Sequence, residues 1–285
     1  MLPSKRNLFK GAIVGLTALS LSVNTANAER TESVEIAAGH VRHMSHSLIG
    51  GVVEYYPLRS LDELQGMRTD RVAVNVEEAT YHGYQAIKVE VQDTHQSIQN
   101  PLDPDLRAQE VAEGACDGCT FLNIGTKPFH NGVIEVDVAS DPRNTIGFVG
   151  VFFRVQMNER QPKKSKYEGF YLRPENSLAD EPFRNFATQY FAKPGHPWYE
   201  LREQEPGEYE AYADLQPGAW TKLRIEVFGE HAKFYVNNNP EPVLVVDELK
   251  HGADSMGTIA LYTEPNIDAY FKNLKITHAP HHDSM

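Results

Sequence analysis

Thr221-Lys-Leu-Arg-Ile-Glu-Val-Phe228 decides the fold: Leu223, Ile225 and Val227 fall on one side of an extended chain, Arg224 and Glu226 on the other. That period of two marks a strand with one buried and one solvated face. Ala232, Phe234 and Val236 repeat it against Lys233 and Tyr235. Asn237-Asn-Asn-Pro240 then supplies residues that accept left-handed or fixed backbone angles before Pro242-Val-Leu-Val-Val246, so the stretch reads as antiparallel hairpins.

Upstream, Ile134, Val136 and Val138 alternate with Glu135 and Asp137, and Ile146 to Val155 is apolar on both faces, as a central strand is. Tyr167-Glu-Gly-Phe-Tyr-Leu-Arg173 gives Phe170 and Leu172 to the core and leaves Tyr167, Tyr171 and Arg173 on the opposite face. Downstream, residues 269–277 bury Phe271, Leu274 and Ile276 together only if a bulge separates the first two. Nearer the N-terminus, Val72, Val74 and Val76, then Ile87, Val89 and Val91, mark two more strands. Ser60-Leu-Asp-Glu63 reads as a capping box for one short helix carrying Leu61 and Leu64. Residues 92–120, with Asn100-Pro-Leu-Asp-Pro104 and Gly114, read as a long loop of the kind that carries function on a rigid scaffold. The expectation is an all-β, two-sheet antiparallel jelly-roll sandwich with few short helices.

Lys5, Arg6 and Lys10 precede an apolar run from Gly11 to Val23, and Ala26-Asn-Ala28 offers a small-x-small cleavage site, the pattern of an export signal. The run is too short, and too interrupted by Thr17, Ser20 and Ser22, to anchor in a bilayer. The expected organisation is a leader at 1–28, an irregular segment at 29–69 packed on the sandwich, the sandwich at 70–277 and a tail at 278–285. A periplasmic or extracellular protein with no transmembrane segment after cleavage follows from it. The chain has 27 Lys and Arg against 39 Asp and Glu, a net charge of −12, and the leader contains only basic charges. So acidic a surface excludes nucleic acid and anionic membrane as partners. The two cysteines, Cys116 and Cys119 in Cys-Asp-Gly-Cys, suit a small disulfide clip in an oxidising compartment. A zinc site would need further ligands, and covalent haem attachment would need histidine where Thr120 stands.

Phe129-His-Asn-Gly-Val-Ile-Glu-Val-Asp137, Gly150-Val-Phe-Phe-Arg154, Tyr167-Glu-Gly-Phe-Tyr-Leu-Arg-Pro174, Trp220-Thr-Lys-Leu-Arg-Ile-Glu-Val227, Gly257-Thr-Ile-Ala-Leu-Tyr262 and Phe271-Lys-Asn-Leu-Lys275 carry a family resemblance. Over about residues 70–277 the chain resembles the concanavalin A-like lectin/glucanase superfamily, and within it the exported laminin-G-like and 3-keto-disaccharide hydrolase-like domains. The resemblance implies a jelly roll with a saccharide on its concave face. It leaves the reaction open, because the superfamily includes lectins, glycosidases, lyases and binding modules.

Two constellations bear on that choice. Glucanases of the laminarinase and lichenase type place Glu-x-Asp-x-x-Glu on one strand; Glu135 and Asp137 fill its first two positions, but Ser140 stands at the third. The plainer reading makes Glu135 and Asp137 outward residues of an amphipathic strand. Arg154, Arg173, Arg184 and Arg202 are interleaved with Tyr171, Gln189, Tyr190 and Trp198 in an otherwise acidic chain. Aromatic rings stack on sugar faces and arginine forks hold carboxylates and hydroxyls, so these eight are the candidate saccharide-binding set. The competing reading pairs each arginine with a nearby acid such as Glu168, Glu175 or Glu200. No catalytic acid or base can be assigned. His40, His43 and His46, like His278, His281 and His282, are spaced closely but lack a helix that would make them ligands. No metal or other cofactor is expected, and a calcium ion has no spaced acidic motif in its favour. The expected function is an exported carbohydrate-active protein, a glycoside hydrolase or a lyase/hydratase; a non-catalytic glycan-binding module and a structural envelope protein are the alternatives.

Overall fold

The computed structural model describes residues 51–142, 147–265 and 267–280; the leader, His40, His43, His46, His281 and His282 lie outside them. Among the described residues, fifteen strands run in chain order as β1 (Val53–Tyr56), β2 (Thr69–Val72), β3 (Val74–Tyr81), β4 (Tyr84–Val91), β5 (Phe121–Phe129), β6 (Gly132–Pro142), β7 (Val149–Gln156), β8 (Lys166–Leu172), β9 (Thr188–Lys193), β10 (Glu210–Ala211), β11 (Thr221–Phe228), β12 (His231–Val236), β13 (Leu244–Val246), β14 (Gly257–Thr263) and β15 (Ile267–His278). Among the described residues two α-helices, α1 (Pro104–Ala112) and α2 (Trp198–Gln204), interrupt them. One sheet has the order β13-β12-β11-β6-β15-β4-β3, with β1 also pairing β15; the other has the order β10-β9-β8-β7-β14-β5-β2. Every pairing within these sheets is antiparallel. The fold is the expected two-sheet sandwich.

Alternation builds the core. Leu223 and Ile225 of β11 lie opposite Val136 and Ile134 of β6, all four buried. Phe170 of β8 reaches across and stacks on Phe234 of β12 with ring centroids 4.1 Å apart. Each such side chain removed from water contributes roughly 1.5–3 kcal/mol before entropy is charged against it. Asn237 and Asn238 turn the chain at φ of +52° and +58°, the left-handed backbone that asparagine tolerates. The bulge required in the closing strand is present: the β15–β6 register shifts between Lys272 and Lys275, Asn273 has φ +56°, and Phe271, Leu274 and Ile276 are all fully buried.

The N-terminal region departs from expectation in two places. Val53–Tyr56, within the segment expected to be irregular, pairs with β15 as a strand, because its backbone finds the free edge beyond β4. Ser60 makes no side-chain cap, since Glu63 reaches past it to the Arg59 amide, 2.9 Å away; the helix is a single 3₁₀ turn at Leu61–Leu64.

Candidate functional site

The outward face of the seven-stranded sheet is aromatic. Tyr167, Phe191, Phe152, Tyr262 and Phe121 come from five adjacent strands, and Phe152 stacks on Tyr167 at 4.2 Å and on Tyr262 at 4.5 Å. All five are buried although they point away from the core, and Gly118 from the segment 92–120 lies against Phe191 and Tyr167. The Tyr167 hydroxyl donates to the Gly118 carbonyl, and the Lys193 ammonium donates to the Asp117 carbonyl.

Local chemistry shapes this cap. Asp103 caps α1 by accepting from the amides of Asp105 and Leu106 at 3.1 and 3.0 Å, with Pro104 in the first turn. The Glu110 carboxylate accepts from the amides of Gln99 and Asn100, tying the helix to the segment before it. Cys116 and Cys119 are joined as a disulfide, and between them Gly118 takes φ +67°. A Cβ at Gly118 would come within 2.9 Å of the Phe191 ring, so only glycine fits.

Between the cap and the sheet edge opens a cavity of about 730 Å³. Phe148, Trp198 and Glu264 line it from the sheet side; His95, Gln96, Glu110, Glu113 and Asp117 line it from the cap. Glu264 sits just past the end of β14 and is 6% exposed. Its Oε1 accepts from the Gly118 amide and the Tyr262 hydroxyl, both at 2.7 Å, while Oε2 accepts, among the described residues, only from the Ser97 hydroxyl at 3.4 Å. Burial, reinforced by the negative charge of Asp117, pushes the Glu264 carboxyl up to about 7. Burial also raises Asp117, opposed by the Ile98 amide, the Lys193 charge and a side-chain hydrogen bond with Trp198. Burial lowers Lys193, opposed by those same two carboxylates. His95 is pushed down to about 4, chiefly by burial, and is neutral at pH 7.

Of the eight candidate residues, Trp198 lines this cavity, and Arg173 and Tyr171 pack behind its wall against Phe148. The Arg173 guanidinium lies 4.4 Å from the Phe148 ring centroid, 5.1 Å from Trp198 and 5.2 Å from Tyr171, and its Nη2 donates to the Tyr171 hydroxyl at 2.7 Å. Its Nε is buried without a partner among the described residues. Arg202 and Gln189 stand one layer back: Arg202 stacks on Trp198 and Phe186, pairs with Glu210 at 2.7 Å and reaches the Gln189 amide oxygen at 3.4 Å. Arg184 lies apart, over Tyr212.

The other two candidates are corrections. Arg154 is fully buried inside the sandwich, because a bulge in β7 at φ +55° turns it away from the face that Phe152 occupies. There it pairs with Glu168 at 3.3 Å and donates to the carbonyls of His130, Gly229 and Gly252. Tyr190 lies opposite Phe170 and so faces the core, donating to Glu168 and accepting from the Lys250 amide. The competing ion-pair reading therefore holds for Arg154, with the partner it named. Glu135 and Asp137 are outward residues of the eight-stranded sheet, paired with Lys275 and with Lys222 and Lys272, far in topology from the cavity. His278 pairs with Glu54, and no cluster of metal-ligating side chains occurs among the described residues.

Sequence reasoning did not find Glu264, Asp117, Lys193, Tyr262 or Phe148 as site residues. The one local signal was an acid leaving an apolar strand ahead of proline, Tyr262-Thr-Glu-Pro265.

Among solved structures, the chain is similar to the kappa-carrageenase from Pseudoalteromonas carrageenovora in complex with an oligotetrasaccharide of kappa-carrageenan, at 8% identity and a TM-score of 0.48, covering 84% of this chain and 100% of that one. It is also similar to the carbohydrate-binding module CBM66 from Bacillus subtilis, at 12% identity and a TM-score of 0.44, covering 73% and 97%. Domain 4 of an extracellular arabinanase from Geobacillus stearothermophilus, in complex with arabinotriose, matches at 11% identity and a TM-score of 0.44, covering 80% and 93%. No curated protein matches the chain in sequence. Residues 79–277, more than half of its length, match one family, and the chain belongs to it: the 3-keto-alpha-glucoside-1,2-lyase-like domains.

Proposed function

We propose that the chain is an exported lyase that cleaves a 3-keto-glucoside across C1 and C2 in the cavity beneath the cap. The observation that carries this reading is the pair of desolvated carboxyls, Asp117 and Glu264, on the wall of one cavity. A ketone at C3 acidifies the hydrogen on C2. Removing that proton pushes electrons onto the ketone oxygen; their return forms the C1–C2 double bond and breaks the bond from C1 to the aglycone oxygen, which takes up a proton. The chemistry needs one base, one acid and a donor for the enolate oxygen.

Two carboxyls whose surroundings hold them in different protonation states can divide the first two roles. Asp117, raised by burial but opposed in this by the Ile98 amide, the Lys193 charge and Trp198, takes the role of the base. Glu264, with Oε1 occupied by two donors, carries its proton on Oε2 and is the acid. Arg173, stacked behind Phe148 and Trp198, supplies the positive charge that answers the enolate, and Trp198 and Phe148 give apolar faces for the sugar ring. The disulfide suits the oxidising compartment that the leader implies.

The Trp198–Arg173–Phe148 stack would serve equally in a module that binds saccharide without reacting. Incubation of residues 29–285 with 3-keto-glucosides, followed by mass spectrometry, separates the two. The lyase reading expects an unsaturated sugar and free aglycone, both lost in Asp117→Asn and Glu264→Gln; intact ligand bound equally well by all three proteins would establish the binding module.

A further inference from the structure

Asp117 and Gly118 each serve the cavity, and both lie inside the four-residue disulfide loop. Asp117 lends its carboxylate to the wall, held by the Ile98 amide at 2.9 Å. Gly118 lends its amide to Glu264 at 2.7 Å. The loop is docked on the sheet through its carbonyls, by Lys193 to Asp117 and Tyr167 to Gly118, and on the cap through the Cys116 amide to Gln96 at 2.9 Å. A crosslink across a sequence separation of three restricts the unfolded chain far less than one closing a long loop, so its contribution to global stability is small. The apolar core between the sheets does not depend on it. What the crosslink fixes is local: the path of residues 116–119 between the two carboxyls.

We propose that the Cys116–Cys119 disulfide is a positioning element of the site, holding Asp117 and Gly118 against Glu264, so that opening it disables the acid while the sandwich stays folded. The inference rests on the lyase reading for its catalytic meaning. The groups facing Glu264 are Asp117 from the loop, Lys193 from β9, Tyr167 and Tyr171 from β8, and Tyr262 from its own strand. Burial and the Asp117 charge, the two largest influences holding the Glu264 proton, both depend on the loop being docked; the Gly118 amide acts in the opposite sense and is smaller.

The test is a carbon-13 NMR titration of the Glu264 carboxyl, assigned with Glu264→Gln and run without substrate, on the oxidised protein, on protein reduced with dithiothreitol and on Cys116→Ser/Cys119→Ser. Dithiothreitol gives two electrons and two protons to the disulfide and closes to its own cyclic disulfide, leaving two cysteine thiols. The expected result is a midpoint at least about one unit lower in both opened forms, cutting the protonated fraction at pH 7 roughly fivefold, with circular dichroism unchanged and the original midpoint restored on reoxidation. An unmoved midpoint with both thiols confirmed by mass would overturn the inference, as would loss of the sandwich on reduction. Lyase turnover on a 3-keto-glucoside should fall with the protonated fraction. If the oxidised protein shows no turnover, the lyase reading fails, and the titration still decides the role of the disulfide.

Discussion

The two sheets turn very different outward faces to their surroundings. On the eight-stranded sheet, Glu135 pairs with Lys275, Asp137 with Lys222 and Lys272, and Lys88 with Glu77, Glu90 and Asp268, in contact with water. On the seven-stranded sheet the same positions hold Phe152, Tyr167, Phe191 and Tyr262, sealed under a cap. Both faces obey the same alternation. The difference teaches that a strand apolar on both sides states that something covers it, and that the site forms where the cover ends.

The comparison breaks most sharply at the edge of the cap. Asp117→Asn and Glu264→Gln should each lower turnover by roughly 10²–10⁴-fold, with saccharide affinity by calorimetry within a few-fold of the parent. Next in size, Phe152→Ala should cost about 3–5 kcal/mol in urea denaturation, because its ring is enclosed by Tyr167, Tyr262, Phe121 and Phe191. A cost below 1 kcal/mol would mean the cap does not seal this face. A pH signature should follow from Glu264, whose carboxyl titrates near 4.5 when unfolded and near 7 when folded. A raised folded value contributes stability that is complete below about 4.5 and is lost as pH rises through about 7. Parent stability relative to Glu264→Gln should therefore fall between those values; a flat difference would contradict the burial of this carboxyl. The smallest effect belongs to the open face: Lys275→Ala, removing a partly exposed pair with Glu135, should change stability by less than about 1 kcal/mol.

Much of the fold was legible because its signals are local. Leu223, Ile225 and Val227 announce their face by spacing alone, and the bulge in β15 was forced by the need to bury Phe271 and Leu274 together. The candidate site was partly legible: Trp198 lines the cavity, and Arg173 packs behind it against Trp198 and Tyr171. The bulge in β7 was not, since Gly150-Val-Phe-Phe-Arg154 alternates perfectly well without one, and it moves Arg154 from the outer face to the interior. Nor was Glu264, whose meaning depends on residues 117 and 118 arriving from almost 150 positions away, a crossing that no periodicity records. The segment 92–120 was read as a long loop, and α1 within it was missed because that helix has no buried residue to give it an apolar stripe.

Arg154 has a consequence for how this architecture tolerates change. Its guanidinium ties together His130 and Asn131 from the β5–β6 turn, Gly229 from the β11–β12 turn and Gly252 from the loop before β14. Three connections that are independent in sequence thus share one buried cation, and lengthening any of them strands a charge that Glu168 alone cannot satisfy. Insertions should therefore be rejected at this end of the sandwich and accepted at the opposite end, where β7 begins beside Phe148 and the cavity opens. The molecule has a keel and a bow, and new ligand specificities would arise at the bow.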